Sequence, residues 1–513
     1  MKWFIFTLLL GLSSAYRILV IFPIPGKSHS ILGDGVVDSL AAAGHEVTVI
    51  TPFLKVNPPK NVNQIDISDV KMPTSDRLQN IAEVAKSNFP LFMMFGISGS
   101  LPKTSVEHKN VQAMLADVNI KFDAVVAEWF FSPLLSGFAA VYECPLIWLS
   151  PTDPHHHVLQ IIDENSSPAY TINLLTDSVP PLNFFQRVFQ LWMQIYTEIL
   201  QFVFYFYMEI PNFKSMYKAA FEVRGRPLPS LKEIAYNGSF MFINGHPSYG
   251  TPFKLPQSAK YIGGYHIDPE TKPLPKDLQK IFDNAKDGVI YFSLGSNLKS
   301  KDLPEQMKVD LVKMFGELKQ TVLWKFEEDL PNLPRNLHII QWAPQPSILN
   351  QNNTRLFITH GGKLSTTETV YYGVPIIGIP IFGDQYANMD MAESLQYAIT
   401  VKFGDDLPVR LGKAIKEVLN NPLYTNRAKE LSTIYHDVPV TPRQELVHWV
   451  EHVVRTKGAP HLRSPALMVP WYQKLYLDLI AVILVVIYIL YKLVKVIKCK
   501  LCKKQTKTKS KRN

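Results

Sequence analysis

The sequence has little cysteine, no acid in its last stretch and no Asp-x-Asp triplet. Only three cysteines occur, Cys144 in the body and Cys499 with Cys502 near the end. A single body cysteine cannot close a disulfide within the chain, so the fold must rest on packed cores. The Cys499/Cys502 pair has CxxC spacing but lacks two further ligands, which argues against zinc. The adjacent run His155 to His157 has no spaced acidic or cysteine partner, so no metal is expected. The fragment Gly33-x-Gly35 lacks the third glycine of a dinucleotide fingerprint.

From Lys492 onward the chain carries ten Lys or Arg and no acid; setting these aside from the 53 basic residues leaves 43 against 44 acidic ones. The net charge of +9 therefore belongs to the tail. The body is close to neutral, which removes the basic surface that nucleic-acid binding needs.

What is present begins with apolar mass: 47% of 513 residues are hydrophobic, enough for two or more cores. The start, "MKWFIFTLLLGLSSAYR", has a cationic residue at Lys2, an apolar run and small residues Ser13 to Ala15, the three-part pattern of a signal peptide over residues 1–15. Near the other end "LYLDLIAVILVVIYILY" is an apolar run bounded by Lys474 and Lys492, read as a membrane span over residues 475–492. The positive flank of residues 493–513 places the tail in the cytosol and the body in the lumen, as a single-pass type I protein. Lys509 and Lys511 look like a dilysine retrieval signal for the endoplasmic reticulum. Acceptor sequons for N-glycosylation stand at Asn165, Asn237 and Asn352.

From Arg17, "RILVIFP" reads as a strand, "IPGKSHS" as a loop, "ILGDGVVDSLAAAG" as a helix and "HEVTVIT" as a second strand. "DAVVAEWF" and "PLIWLS" repeat the pattern with a helix between them. After a proline-rich connection a second series follows, with strands "VIYFSLGS", "TVLWKF", "LHIIQWAP", "RLFITH" and "VPIIGIP". Both series predict parallel, doubly wound sheets, so the fold class is α/β with two Rossmann-like domains facing across a cleft. The segment from Phe184 to Tyr207 is unusually aromatic, which suits a core helix, a lipophilic pocket or a membrane-facing surface.

The stretch "RLFITHGGKLSTTETVYYG" reads as strand, glycine turn and helix. Gly361 and Gly362 permit close approach of a ligand to the backbone, and the helix start offers free N–H groups, which is a phosphate site. His360 can donate to a phosphate oxygen, Ser365 adds a hydroxyl, and Glu368 can accept from sugar hydroxyls.

Together with "WAPQPSIL" before it and "VPIIGIPIFGDQ" after it, this run resembles the nucleotide-sugar signature of the UDP-glycosyltransferase family, of the UDP-glucuronosyltransferase and UDP-glucosyltransferase type. The chain is similar overall to insect microsomal members, and the resemblance implies a GT-B fold. It also implies that Trp342 stacks on uracil and Gln345 helps hold the uridine. His360, Gly362 and Ser365 meet the diphosphate, Glu368 the ribose, and Asp384 with Gln385 the transferred sugar. "FSLGS" matches a second phosphate loop at Gly295 and Ser296. The wording of these motifs favours UDP-glucose over UDP-glucuronate.

His29 stands where the family has its general base, in the strand-end crevice of the first domain, and Glu128 stands where it has the carboxylate that orients that base. Two positions depart from the common pattern: Leu364 stands where many plant members carry asparagine, and Glu128 where many carry aspartate. The resemblance implies direct displacement at the anomeric carbon with inversion, no metal and no cofactor, UDP-sugar being a co-substrate. The expected organisation is an acceptor-binding domain over 16–255, a linker over 256–278, a UDP-sugar-binding domain over 279–440 and a segment over 441–474 returning toward the membrane. The expected function is transfer of a hexose to hydroxyls of small lipophilic acceptors, in detoxification or in hormone or pigment conjugation. Expected partners are donor, acceptor and membrane, with association into homo- or hetero-oligomers left open. The rival reading is a noncatalytic, membrane-anchored binder of lipophilic ligands that retains the nucleotide fold.

Overall fold

A computed structural model describes residues 15–71, 91–162, 166–173, 176, 178–296 and 298–509. The expected leader, but for Ala15, the sequon at Asn165 and Lys511 lie outside the described residues.

The first sheet contains β1 (Arg17–Ile21), β2 (Glu46–Thr51), β3 (Val62–Asp66), β4 (Ala124–Glu128), β5 (Leu146–Ser150), β6 (Phe240–Ile243) and β7 (Ala259–Tyr261). Their order is β3-β2-β1-β4-β5-β6-β7, and every pairing is parallel. The second sheet contains β8 (Val289–Ser293), β9 (Thr321–Lys325), β10 (Leu337–Ile340), β11 (Thr354–Thr359), β12 (Ile376–Gly378) and β13 (Ala398–Thr400), in the order β10-β9-β8-β11-β12-β13. Parallel strands covered on both faces must be apolar along their whole length. "AVVAE" in β4 and "LIWLS" in β5 are buried at every position, whereas the edge strand β3, "VNQID", is more polar and partly open.

Each sheet has an apolar cluster on either face. On one face of the first sheet Ile18, Val20 and Phe22 pack against Leu32, Val36 and Leu40 of the first helix, α1 (Lys27–Ala42). Leu446, Val450 and Val453 complete that cluster; they come from helix Pro442–Arg455, so the chain crosses back to the first domain after leaving the second. Both sheets belong to one compact body that runs to Leu462.

In both sheets the strand order reverses between two central neighbours, β1 and β4 in the first, β8 and β11 in the second. The carboxyl ends of strands diverge at such points and open a crevice. Both crevices are used by the site described below.

Helix Phe184–Phe204 is capped by a reciprocal Asn183/Gln186 box. Two of its polar side chains are buried: Gln190 donates to Thr176 Oγ1 (2.7 Å) and accepts from the Asn173 N–H (2.8 Å), and Thr197 is fully buried. Its outward face is apolar, with Phe185 80%, Trp192 62% and Phe202 66% exposed. The core-helix reading of this segment therefore fails. None of the residues lining the principal cavity comes from it, so it is not the lipophilic pocket either.

Beyond Leu462 a separate unit contains helix Leu477–Lys509. Its apolar part, Leu477–Lys500, has 24 residues, all of them exposed. At about 1.5 Å per residue it is about 36 Å long, which matches a bilayer core.

Candidate active site between the two sheets

A cavity of about 550 Å³ lies between the carboxyl ends of the two sheets. Ten of the sequence-derived donor-site residues line it, Gly295, Ser296, Trp342, Gln345, His360, Gly362, Ser365, Glu368, Asp384 and Gln385, together with His29 from the other domain.

His29 is in the first turn of α1, because the helix begins at Lys27 and not after the "IPGKSHS" loop that the sequence suggested. Its Nδ1 is hydrogen-bonded to Oε1 of Glu128, the last residue of β4. The ring also meets Phe130 edge-on at 5.4 Å. Nδ1 being taken, Nε2 is left for the cavity. Burial by itself would lower the His29 pKa, but the charge and hydrogen bond of Glu128, with a smaller contribution from Asp384, raise it above the ordinary histidine value. The first turn of a helix disfavours a cation, so Glu128 is what makes an imidazolium tolerable there. Glu128 is 1% exposed, and its Oε2 has no hydrogen-bond partner. Asp123, at the start of the same strand segment, is instead structural, its Oδ2 accepting from the Arg17 N–H at 2.7 Å.

On the second sheet His360 follows β11 and faces the loop after β8. A Cβ on Gly295 would lie 2.6 Å from the His360 ring, and one on Gly362 would lie 2.5 Å from it. These two glycines make room for the imidazole, a packing role that the sequence did not show. Burial, helped by the charge of Lys325, pushes the His360 pKa down to about 4, so the ring is neutral at pH 7 and donates through one N–H. Lys325 Nζ donates to the Gly295 carbonyl and to Glu327, both at 2.9 Å, and stands 5.8 Å from the Trp342 ring centre.

Helix Lys363–Tyr372 begins at Gly362 without a side-chain cap, so its first-turn N–H groups and positive dipole end point at the cavity. Gln345 Nε2 donates to Glu368 Oε2 at 2.7 Å and to Ser365 Oγ at 3.2 Å, and Tyr291 donates to its Oε1 at 3.3 Å. Trp342 is 60% exposed at the rim, an open aromatic face. Gln385 uses Oε1 to accept from the Ile381 and Phe382 N–H groups, which leaves only its amide N–H groups free for a ligand. Asp384 accepts from Asn388 Nδ2 at 2.8 Å; burial raises its carboxyl pKa against that bond and the charge of Lys363.

Sequence reasoning missed three residues of the site. Lys363 is ion-paired with Asp153 of the first domain and stands 4.7 Å from the Tyr249 ring centre. Lys325 was legible only as the polar end of a buried strand, and His266 was hidden in the stretch expected to be linker, which in fact begins with β7. Leu364, the departure from asparagine, packs against the apolar cluster of the first sheet and lines the cavity. Of the histidine run, His156 bonds Glu198 (2.5 Å), while burial pushes His155 down to about 3 and His157 well below the ordinary histidine value, so both are neutral.

Residues 17–512 match the family described as "UDP-glucoronosyl and UDP-glucosyl transferase". The chain is similar to "UDP-glucosyltransferase 2" of Dactylopius coccus, 34% identical, covering 94% of this chain and 92% of that one. It is also similar to "UDP-glucuronosyltransferase 2B17" of Rattus norvegicus, 31% identical, with 94% of each covered. Among solved structures, the calicheamicin glycosyltransferase CalG4 aligns with a TM-score of 0.56 at 17% identity, covering 86% of this chain and 99% of that one. A UDP-glucosyltransferase from Polygonum tinctorium aligns with a TM-score of 0.55 at 15% identity, covering 86% and 99%.

Proposed function

This chain belongs to the UDP-glucuronosyl and UDP-glucosyl transferase family and is a UDP-glycosyltransferase of GT-B fold; from that premise we propose an inverting transfer of a hexose, glucose, from UDP-sugar to a hydroxyl of a small lipophilic acceptor. His29 is the base. Its Nε2 takes the acceptor proton while Nδ1–H donates to Glu128, which holds the ring and stabilises the cation it becomes. The acceptor oxygen forms its bond to the anomeric carbon as the bond from that carbon to the diphosphate oxygen breaks. The α-linked donor gives a β-glycoside and UDP.

Negative charge grows on the leaving diphosphate, where the free start of helix Lys363–Tyr372, His360, Gly295 and Ser296 stand to receive it. Trp342 offers its face to uracil, Gln345 and Ser365 flank the uridine and phosphate, and Glu368 accepts from the ribose. Asp384 and the Gln385 amide hold the sugar hydroxyls. No residue among these calls for a metal in this reading: neutral His360, the dipole end and Lys325 supply the positive character. The apolar lining by Ile24, Ile97 and Leu101 suits a lipophilic acceptor.

The observation that carries this reading is the His29–Glu128 pair facing, across one cavity, the donor residues of the other sheet. It also speaks against the noncatalytic alternative, since the longer Glu128 still reaches the imidazole. The apolar helix Leu477–Lys509 supports a membrane anchor, with the body in the lumen of the endoplasmic reticulum. The outward aromatic face of helix Phe184–Phe204 fits contact with the same kind of lipid surface. UDP release by microsomes expressing the chain, with UDP-glucose and a panel of phenolic and steroid acceptors, tests the reading. Acceptor-dependent release that vanishes in His29→Ala supports it; UDP-sugar binding without release for any donor or acceptor overturns it in favour of the noncatalytic binder.

A further inference from the structure

His266 sits in the turn that follows β7, on the first-domain side of the cavity. Its side chain is 2% exposed, yet neither ring nitrogen has a hydrogen-bond partner. A buried imidazole with two unmet nitrogens is costly unless something else completes it. The ring lines the donor cavity, and its Nε2 stands 3.7 Å from Oε1 of Glu368, too far for a direct hydrogen bond. The other oxygen of that carboxylate is already occupied by Gln345. What remains is a second carboxylate oxygen and a buried, unpaired ring nitrogen in the wall of the same cavity.

The ring is held there by the backbone that carries it. A Cβ on Gly35 would lie 2.8 Å from the His266 Cα, so α1, whose first turn contains His29, packs directly on this turn. Arg443 Nε fixes the Tyr265 carbonyl from the other side at 2.9 Å, and Tyr435 donates to the Gly263 carbonyl at 2.9 Å. Gly35, which carries no cofactor signal, thus has a packing role that brings His266 to the cavity wall.

We infer that His266 is a donor-binding residue: a ribose hydroxyl of the UDP moiety bridges His266 Nε2 and Glu368 Oε1 from the cavity side, accepting from the ring N–H and donating to the carboxylate. An oxygen about 2.8 Å from each atom stands beside the pair, about 2 Å off the line that joins them. The inference rests on the donor site proposed above and adds a contact from the other domain. The nucleotide is then held by both domains at once.

The test is equilibrium binding of UDP and of 2′,3′-dideoxy-UDP to the full chain, solubilised in detergent, as wild type, His266→Ala and His266→Gln. Removing one hydrogen bond to a group shared with a carboxylate is expected to weaken UDP ~10-fold in His266→Ala. The same variant should bind dideoxy-UDP as the wild type does, because the hydroxyls that His266 serves are gone. His266→Gln, which keeps an N–H donor near the Nε2 position, should restore most of the UDP affinity and shows whether the position tolerates substitution. Equal weakening of both nucleotides in His266→Ala, or no weakening of either, overturns the inference and leaves the donor site standing. A wild-type chain that binds neither nucleotide overturns the donor site itself, and this inference with it.

Discussion

His29 and Glu128 are 99 residues apart in the chain and hydrogen-bonded in the fold, because β1 and β4 lie side by side where the first sheet reverses its order. One residue opens the helix after β1 and the other ends β4, so the sheet itself delivers the pair. In the proposed role of base, His29 needs its partner for charge as well as for orientation.

The pH dependence follows. As the proposed base, His29 must be neutral to accept a proton, so activity should fall as pH drops through its raised pKa. In Glu128→Gln the raising charge is gone and burial, which lowers the pKa, is left. The acidic limb of kcat/KM should therefore move to lower pH, while the maximal rate drops ~10²-fold or more through loss of orientation and cation stabilisation. His29→Ala should cost ~10²–10⁴ in kcat with UDP affinity unchanged. A limb that stays put in Glu128→Gln would mean that another group sets it.

Trp342 is exposed and tied to no core, so Trp342→Ala should leave the unfolding midpoint unchanged. Base stacking on an aromatic face contributes ~1–3 kcal/mol, so UDP should bind roughly tenfold or more weakly. Wild-type tryptophan fluorescence should be quenched by UDP, and the quench should be absent in the variant.

The glycine pair around His360 makes a separate prediction. Gly362→Ala places a methyl 2.5 Å from the ring and must displace it, whereas Gly362 itself has an ordinary negative φ. The variant should fold, lose UDP affinity, and bind uridine nearly as the wild type does, since only the diphosphate contacts are disturbed. Titration calorimetry with the two ligands separates these outcomes.

The fold class was legible because buried parallel strands are written as unbroken apolar runs: "ILVI", "AVVA" and "LFIT" each lie in a central strand. β3, with "VNQID", and the three-residue strands β7 and β13 were not, since edge strands are short and mixed in polarity. The residues that line the second-domain side of the cavity were legible because most come from one continuous stretch around a single strand-turn-helix. Lys363 was within it and was passed over, its ion pair with Asp153 depending on a partner 210 residues away. His266 was invisible for a related reason: its surroundings come from α1, helix Lys363–Tyr372 and helix Pro442–Arg455, and local sequence carries no trace of that meeting.

The Asp153–Lys363 pair joins the two domains beside the donor site. Lys363 is 6% exposed and Asp153 29%. Removing one partner of a fully buried pair costs ~3–5 kcal/mol; because Asp153 keeps some water, Asp153→Ala should cost about 2 kcal/mol. Combining it with Lys363→Met should recover part of that loss, as no unpaired charge is left buried. Urea unfolding of the single and double variants reads this directly, and strictly additive losses would show that the pair contributes no coupling.

Helix Phe184–Phe204 has its polarity reversed relative to a helix on a water-facing surface, with Gln190 and Thr197 buried and Phe185, Trp192 and Phe202 outside. Thirteen large apolar side chains between Phe184 and Tyr207 are more than a third exposed, all on one broad side of the helix, and water is a poor neighbour for that much aromatic surface. A lipid surface removes the cost, and tryptophan and tyrosine suit its interfacial zone. In proteoliposomes doped with dibrominated lipid, the full chain should therefore lose fluorescence from Trp192, read as the difference between wild type and Trp192→Phe. The subtraction matters because exposed Trp471 lies close in sequence to helix Leu477–Lys509, the proposed anchor, and would be quenched in either case. Identical quenching of the two proteins would place Trp192 away from lipid, and the aromatic face would then need a protein partner to cover it.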